Sequence, residues 1–473
     1  MTIQRAHSTT HRHLAACIAA AFALTAFAPA CFAAYDNVLN CNDTGAGSLR
    51  ATIANAASGD TVVLNPVTMQ CSAITLGSGE IAAPQNDLTV KYNGNNSNRF
   101  TVSGNNHRIF HHTGTGKLTL QRLNLQFGKA TDADAIYVQT GKYASKVALG
   151  GCVYSAGVVD LENSQVKYCS VATSHIGIGG GIGAIKGLIM NDSTLRDNSV
   201  TAFVSPTYGS YAQCGGAFAG MPGFGGGNGY IDASYSTISD NAVGGSGGGL
   251  CIIGPSDTSG PQSTIRNSTI SGNSAGYISA ISSGGLLTIA NSTISGNTAT
   301  GSTYNVGAIF IGKTLTLRNS TVAFNNAANG PAICFNNLKY SSNAHYAVDF
   351  ESSIVADNRS NGIESDVYSR VDPGRALTIT GANNIVMSTS AGAPLPGDTS
   401  AHDPLLLPLA NNGGPTQTHA FRDASPAYGH GNNGAGLATD QRGTGYTRTV
   451  NGVTDIGAFQ QQVRDVIFAN GFD

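Results

Sequence analysis

The chain has 473 residues, 61 of them Gly, with 41% hydrophobic and only 11% charged side chains. It is long enough for a large core and too apolar for a disordered chain. A formal net charge of −2 excludes the basic footprint of a nucleic-acid binder.

The chain opens on a processing segment. Arg5 and Arg12 make a basic start, and Leu14 to Ala28 is an apolar run shorter than the roughly 20 residues of a membrane span. Small residues follow from Ala28 to Ala34. Residues 1–34 therefore read as a secretory signal peptide cleaved near Ala33, with lipid attachment at Cys31 as the alternative. Export makes disulfide pairing the default for the cysteines that remain after Cys17 and Cys31 are removed. Cys41 and Cys71 are the expected pair. Cys152, Cys169, Cys214, Cys251 and Cys334 fall at coil edges with their connectivity open, and their odd number predicts at least one unpaired thiol.

Residues 35–85 read as an N-terminal cap and first coil. Ser48–Ala57 is a short helix with Ser48 as N-cap and Gly59 as its stop, followed by a strand over Thr61–Leu64. The helix covers the open end of the apolar column and its exposed strand edges.

Residues 86–396 carry the repeat. Its clearest form is Leu-Thr-Ile-Ala-Asn-Ser-Thr-Ile-Ser-Gly-Asn at 287–297, which returns at 315–325. The Ser-led tripeptide begins at Ser164, Ser193, Ser236, Ser268, Ser292, Ser320 and Ser352, in steps of 29, 43, 32, 24, 28 and 32 residues. A fixed motif at irregular spacing predicts a solenoid with loop insertions. The alternation is that of short strands, and the third tripeptide position stacks into one apolar column. Asn198, Asn241, Asn273, Asn297 and Asn358 each follow the strand by three residues. They are expected to take the left-handed backbone of a sharp corner and to hydrogen-bond to one another along the axis. An antiparallel β-sandwich is the competing architecture. Insertions at Lys129–Leu149, Thr201–Asn228 and Ala327–Ala347 are candidate binding loops or surface decoration. They carry Asp132, Asp134, Lys142, Tyr143 and Lys146; Tyr208 and Tyr211; and Lys339, Tyr340, His345 and Tyr346.

Residues 397–460 break the repeat with Pro404, Pro408, Pro415 and Pro426 and read as a C-terminal cap packed on the last coil, with Asp455–Phe459 as a closing strand. Residues 461–473 form a terminal tail. No apolar segment after the signal is long enough to span a membrane.

The NSTISGN repeats resemble right-handed parallel β-helix proteins of the pectin-lyase-like type. The run Cys41–Ile53, closing in Gly59–Val62, resembles the N-terminal cap of bacterial surface β-helix proteins. Asp403–Leu406, Asn411–Thr416, Ser425–Ala427, Thr439–Gly443 and Asp455–Phe459 are similar to a choice-of-anchor Q domain. Val466–Asp473 resembles a terminal motif of exported gammaproteobacterial proteins. The resemblance implies an all-β fold: a right-handed parallel β-helix with a short N-terminal capping helix and an irregular C-terminal cap.

That architecture hosts polysaccharide lyases and hydrolases as well as adhesin-like scaffolds, and fold alone does not choose. A lyase needs an Arg or Lys base and often Ca²⁺ on carboxylates; a hydrolase needs two carboxylates at defined separation. Asp192, Arg196 and Asp197 are the densest local set. Asp197, Asp240 and Asp357 share a corner slot with Gly272 and Gly296, where turn chemistry explains them equally. Arg266 and Arg318 stack with Ala290 between them. Gly429-His430-Gly431 resembles the GHG tripeptide of polygalacturonase-like hydrolases without their paired Asp motif. His107, His111 and His112 cluster in an early coil.

Two readings follow. The first is an exported, non-catalytic scaffold, secreted, periplasmic or at the outer surface, without a cofactor, that binds glycans or host-surface ligands. The alternative is a lyase or hydrolase of acidic glycans, working between the insertions at 129–149 and 201–228 with Asp132, Asp134, Lys142 and Lys146. Ca²⁺ enters only there.

Overall fold

Alternation in Leu286–Ala290 and Thr314–Arg318 puts Leu287, Ile289, Leu315 and Leu317 on one side of each strand and Leu286, Thr288, Ala290, Thr314, Thr316 and Arg318 on the other. One such strand cannot cover its apolar side. In the computed structural model the chain covers it by coiling, so that each strand lies in register on its counterpart one coil earlier. The structure describes residues 33–462 except 96–97, 141–142, 203, 206–208, 211, 221–227, 255–259, 303–304, 338–345, 372–376 and 391. Nearly all of the signal segment, the tail from 463, and Lys142, Tyr208, Tyr211, Lys339, Tyr340 and His345 lie outside the described residues.

A full coil passes through four sheets, here named I to IV in chain order, holding 12, 11, 9 and 10 strands. Sheet I runs from Tyr35–Val38 to Leu377–Thr380. Pairing is parallel except where Arg359–Ser360 and Ile363–Glu364 close sheet III antiparallel. The fold is a parallel β-helix. Ile238, Ile270, Ile294 and Val322 are successive partners in sheet II and are fully buried. Leu315, Leu317 and their counterparts in sheet I supply the other side of the same core.

Two corners bound sheet II. The first is a single residue in the left-handed region, as at Asn163, Asp192, Tyr235, Asn267, Asn291 and Asn319. The tripeptide Ser follows it, and its hydroxyl oxygen accepts from the preceding coil's Ser N–H, as from Ser236 to Ser268 (3.1 Å) and from Ser292 to Ser320 (3.2 Å). The last tripeptide begins at Ser353 rather than Ser352, because Val322 pairs with Val355. Ser352 is the left-handed turn residue, φ 49°, and Ser353 carries the hydrogen bond from Ser320. Two adjacent serines hid this one-residue slip.

At the second corner the left-handed residue is the one before the Asn: Asp197, Asp240, Gly272, Gly296, Phe324 and Asp357. The Asn itself is not left-handed, which corrects that expectation; it is buried and hydrogen-bonded instead. Asn297 Oδ1 accepts from Asn273 N (3.0 Å) and Asn273 Nδ2 (2.9 Å), while Asn297 Nδ2 reaches Asn325 Oδ1 at 2.8 Å. The same pattern links Asn198, Asn241, Asn273, Asn297, Asn325 and Asn358. Asn325, which lies at the same spacing, joins the set. Cys169 precedes Asn198 in the stack, donates its N–H to Asn198 Oδ1 (3.0 Å), and forms a disulfide with Cys152. At the other end Asn358 Nδ2 donates to Asp366 Oδ1 at 2.8 Å.

The capping helix spans Leu49–Asn55. Ser48 Oγ accepts from Ala51 N, and the helix ends at Ala56, so Gly59 lies in the turn beyond it. Leu49 and Ile53 face the core. Disulfides Cys41–Cys71 and Cys214–Cys251 tie the cap and the sheet IV edge. Among the described residues no helix is long and apolar enough to cross a membrane.

The C-terminal segment differs most from expectation. Ser400 pairs with Ile385 at the last coil, but the chain then doubles back. Thr269 Oγ1 donates to Gln417 O (2.6 Å), Asn291 Nδ2 to Thr439 O (2.7 Å) and Asn319 Nδ2 to Asn432 O (3.0 Å). It is a strap along the outside of sheet II, and Asp455–Phe459 forms no strand within it. Inside it Arg442 pairs with Asp440 (2.6 Å) between the rings of Tyr446 and Phe459, at 3.9 and 4.0 Å.

Replacing Asn297 with Ala leaves the Asn273 N–H and amide without their acceptor, and chemical denaturation should show a loss of about 3 kcal/mol or more. Burial raises Asp366 to about 7 despite the hydrogen bonds it accepts. Because the folded value exceeds the unfolded one, its contribution to stability is full below about pH 4 and is lost as pH rises through about 7. The melting temperature should fall across that window in the native protein, and Asp366→Asn should flatten the dependence.

Candidate functional site

Period-two alternation sends every second residue of a sheet I strand outward. In Val158–Glu162 these are Asp160 and Glu162; in Gly187–Asn191, Ile189 and Asn191; in Tyr230–Ser234, Asp232 and Ser234; and in Ser263–Arg266, Thr264 and Arg266. Parallel register aligns Asp160 with Ile189 and Asp232, and Glu162 with Asn191, Ser234 and Arg266. The result is a groove of about 260 Å³ lined by these side chains.

The carboxylates are engaged one by one. Lys117 Nζ lies 2.9 Å from Asp160, Gln121 donates to Glu162 at 2.9 Å, and Arg266 lies 2.9 Å from Asp232. Ser234 donates to Asn191 Oδ1 at 3.0 Å. The Asp160 carboxylate holds the Lys117 amine above its ordinary value. Burial, then Asp160 and Asp232, push the Tyr230 phenol up. The groove thus offers both acceptors and donors on strands spaced roughly 4.8 Å apart from coil to coil. Such a surface can hydrogen-bond an extended, hydroxyl-rich chain.

Of these residues only Arg266 was singled out in the sequence, although a signal for the others existed. Asp160, Ile189 and Asp232 each stand four residues before a tripeptide Ser, and Glu162, Ser234 and Arg266 two before. Lys and Arg already occupy two of the three carboxylates, so the donor set does not fit Ca²⁺. Among the described residues no cluster of three or more His, Cys, Asp or Glu is arranged to hold a metal.

The insertion carboxylates lie elsewhere and have other work. Asp132, which is exposed, accepts from Thr173 Oγ1 (2.5 Å), Ser174 N (2.8 Å) and Ser174 Oγ (2.7 Å), and these bonds hold its carboxyl at about 2. Asp134 caps the turn at Thr131 N (2.7 Å). Lys146 lies over Tyr137, 5.5 Å from the ring centroid. The insertion is a hairpin, Ile136–Thr140 with Tyr143–Leu149, continued in parallel by Ile176–Ile178. Its Val138, Val147 and Leu149 pack on Tyr154 and Phe218 of sheet IV, so it covers that sheet rather than overhanging a groove.

The remaining candidates separate. Asp192 accepts from Asn163 (2.9 Å), Arg196 pairs with Asp197 (2.5 Å), and Asp197, Asp240 and Asp357 are corner residues. Arg266 and Arg318 flank Ala290 in register, and Arg318 pairs with Asp349 at 2.9 Å. His111 pairs with Glu80 (2.5 Å), whereas His112 is buried against Ser155 (2.7 Å) and Gln85 O (2.9 Å), and burial lowers its pKa. His107 belongs to neither contact. His430 sits on the strap, bonded to Tyr428 O.

Fold and groove together define a parallel β-helix protein with a polar groove on sheet I. No protein-family model matches the chain, and no curated protein does. Among solved structures it is similar to the crystal structure of pectate lyase Pel9A, at 15% identity and a TM-score of 0.45, over 91% of this chain and 96% of that one.

Asp132→Asn should lower the melting temperature slightly, because one acceptor oxygen of the carboxylate that holds Thr173 and Ser174 is lost. Any glycan affinity measured for the native protein should stay unchanged, because Asp132 is a turn residue away from sheet I.

Proposed function

We propose that this chain is an exported binding scaffold that holds glycan chains along the sheet I groove. The observation that carries the reading is the groove itself: Asp160, Glu162, Asn191, Asp232, Ser234 and Arg266 aligned across four successive coils. Asp160 and Asp232 are paired with Lys117 and Arg266 while Glu162 is held by the neutral Gln121, a mixture of acceptors and donors that suits recognition of sugar hydroxyls. Three disulfides support an oxidising compartment. The signal-peptide pattern of residues 1–34 and the sequence resemblance of the strap to a choice-of-anchor Q domain support export.

A second reading has its own support. Asp160 and Glu162 share one face, roughly 7 Å apart along the strand, and Asp232 and Arg266 stand beside them. That set would serve a polysaccharide hydrolase as acid and base, or a lyase with Arg266 or Lys117 as base.

One experiment addresses both. Neutral and uronate oligosaccharides are titrated into the protein by calorimetry, and the mixtures are then assayed for unsaturated and new reducing ends. Binding without product, weakened at least about tenfold by Glu162→Gln with Asp232→Asn, is the expected result. Product formation that these substitutions abolish would replace the scaffold with the enzyme. No binding and no product would remove both.

A further inference from the structure

The outer face of sheet II divides into two halves. Its first outward column reads Asn124, Gln165, Thr194, Thr237, Thr269, Thr293 and Thr321 in register. The second reads Gln126, Lys167, Arg196, Ser239, Ser271, Ser295 and Ala323. The strap lies on the half with short side chains. Thr269 and Thr293 donate to Gln417 O and Gln441 Oε1 (both 2.6 Å), Thr321 Oγ1 accepts from Ala458 N (3.1 Å), and Ser295 Oγ contacts His419 Nε2 (2.8 Å). At the edge of that half, a Cβ at Gly443 would meet the Tyr235 ring at 2.9 Å.

Beyond Tyr235 the side chains lengthen to amides and cations. The strap makes no hydrogen bond to them among the described residues. Asn124 and Gln165 line a recess of about 260 Å³ with Tyr92 and Arg99. Asn124 Oδ1 is buried there without a partner. Lys167 and Arg196 flank Tyr168, 5.8 and 5.3 Å from its centroid. Tyr168 stacks on Phe127 with centroids 5.5 Å apart, and these rings are 42% and 49% exposed. Both sit at a corner with φ 55°, a backbone region that aromatic residues rarely adopt and that later coils fill with Asp or Gly except at Phe324. Burial, then Arg196, hold the Lys167 amine below its ordinary value, so positive charge is crowded here. Asp197, paired with Arg196, and Asp192 are the nearby carboxylates.

We infer that the open half of sheet II is a docking site for an extended acidic polypeptide segment, supplied by another protein, which continues the track of the strap. The argument is continuity with an interface the molecule already forms. This face holds a polypeptide along one half, through side chains that bond backbone groups. The other half carries amides, which bond backbone groups at longer reach, together with cations and two exposed rings. The cations select acidic side chains, and Phe127 and Tyr168 receive apolar ones. The site is separate from the sheet I groove and stands or falls independently of it.

The test uses the whole mature protein and a dye-labelled twelve-residue peptide of alternating Glu and Leu, read by fluorescence anisotropy at low ionic strength. A Lys/Leu peptide and a hexagalacturonate competitor form the other arms. The Glu/Leu peptide should bind, the Lys/Leu peptide should not, and Lys167→Glu should weaken binding roughly tenfold or more through loss of one charge-assisted contact and reversal of its sign. Gln165→Ala, which removes no charge, should weaken it about threefold. An unchanged melting temperature in both variants separates these losses from misfolding. Equal binding of both peptides, no binding of the Glu/Leu peptide, or its displacement by hexagalacturonate at lower concentration than by unlabelled peptide would overturn the proposal; the last would make the face a glycan site.

Discussion

A buried carboxamide must find partners for both its ends. In this fold that requirement aligns the coils. Asn198, Asn241, Asn273, Asn297, Asn325 and Asn358 are almost fully buried, and each is satisfied by the Asn one coil away and by nearby backbone groups, with Asp366 completing the row at Asn358. A one-residue slip in any coil would break three bonds at once and turn every strand side chain to the wrong face. The Ser hydroxyls at the opposite end of sheet II impose the same condition. Between these two rows the register of sheet II is fixed, and sheet I follows because a single left-handed residue joins it to the tripeptide Ser.

Fixed register converts a repeat into a surface. Outward positions of successive coils line up as columns, and the properties of each face depend on what occupies its columns. Sheet I places Asp160, Glu162, Asp232 and Arg266 into neighbouring columns and so makes a groove from residues as far apart in the chain as Asp160 and Arg266. Sheet IV turns Tyr154 and Phe218 outward, and the hairpin at 136–149 buries them. Sheet II is polar but shallow, and the strap occupies the part that its short Thr and Ser side chains leave accessible.

Much of the fold was legible in the chain because it rests on local repetition. Tripeptide spacing, Asn spacing and strand alternation are each properties of a short window, and they lead to the coil and to its buried column. Ser352 against Ser353 shows the limit: the turn residue and the row residue are both Ser, and only pairing with the neighbouring coil separates them. The strap shows a deeper one. Its contacts join Asn267 to Asp440 and Thr293 to Gln441, and no periodicity in residues 397–460 reveals which coils they touch. The candidate site was missed for another reason. Charged residues attract attention in loops, where Asp132 and Asp134 turn out to hold a turn together, whereas Asp160 and Asp232 stand inside strands and gain meaning only from their alignment.

The strap also implies an order of assembly. Neighbouring coils touch across separations such as the 24 residues between Asn273 and Asn297, so coils can add one after another onto a formed end. Strap contacts close loops of 148 residues between Thr293 and Gln441 and of 173 between Asn267 and Asp440. The entropy of closing such loops, and the absence of a docking face until several coils exist, put this step late. A segment made after all the coils is thus the last to find its place, and it locks together coils that were until then held only by their immediate neighbours.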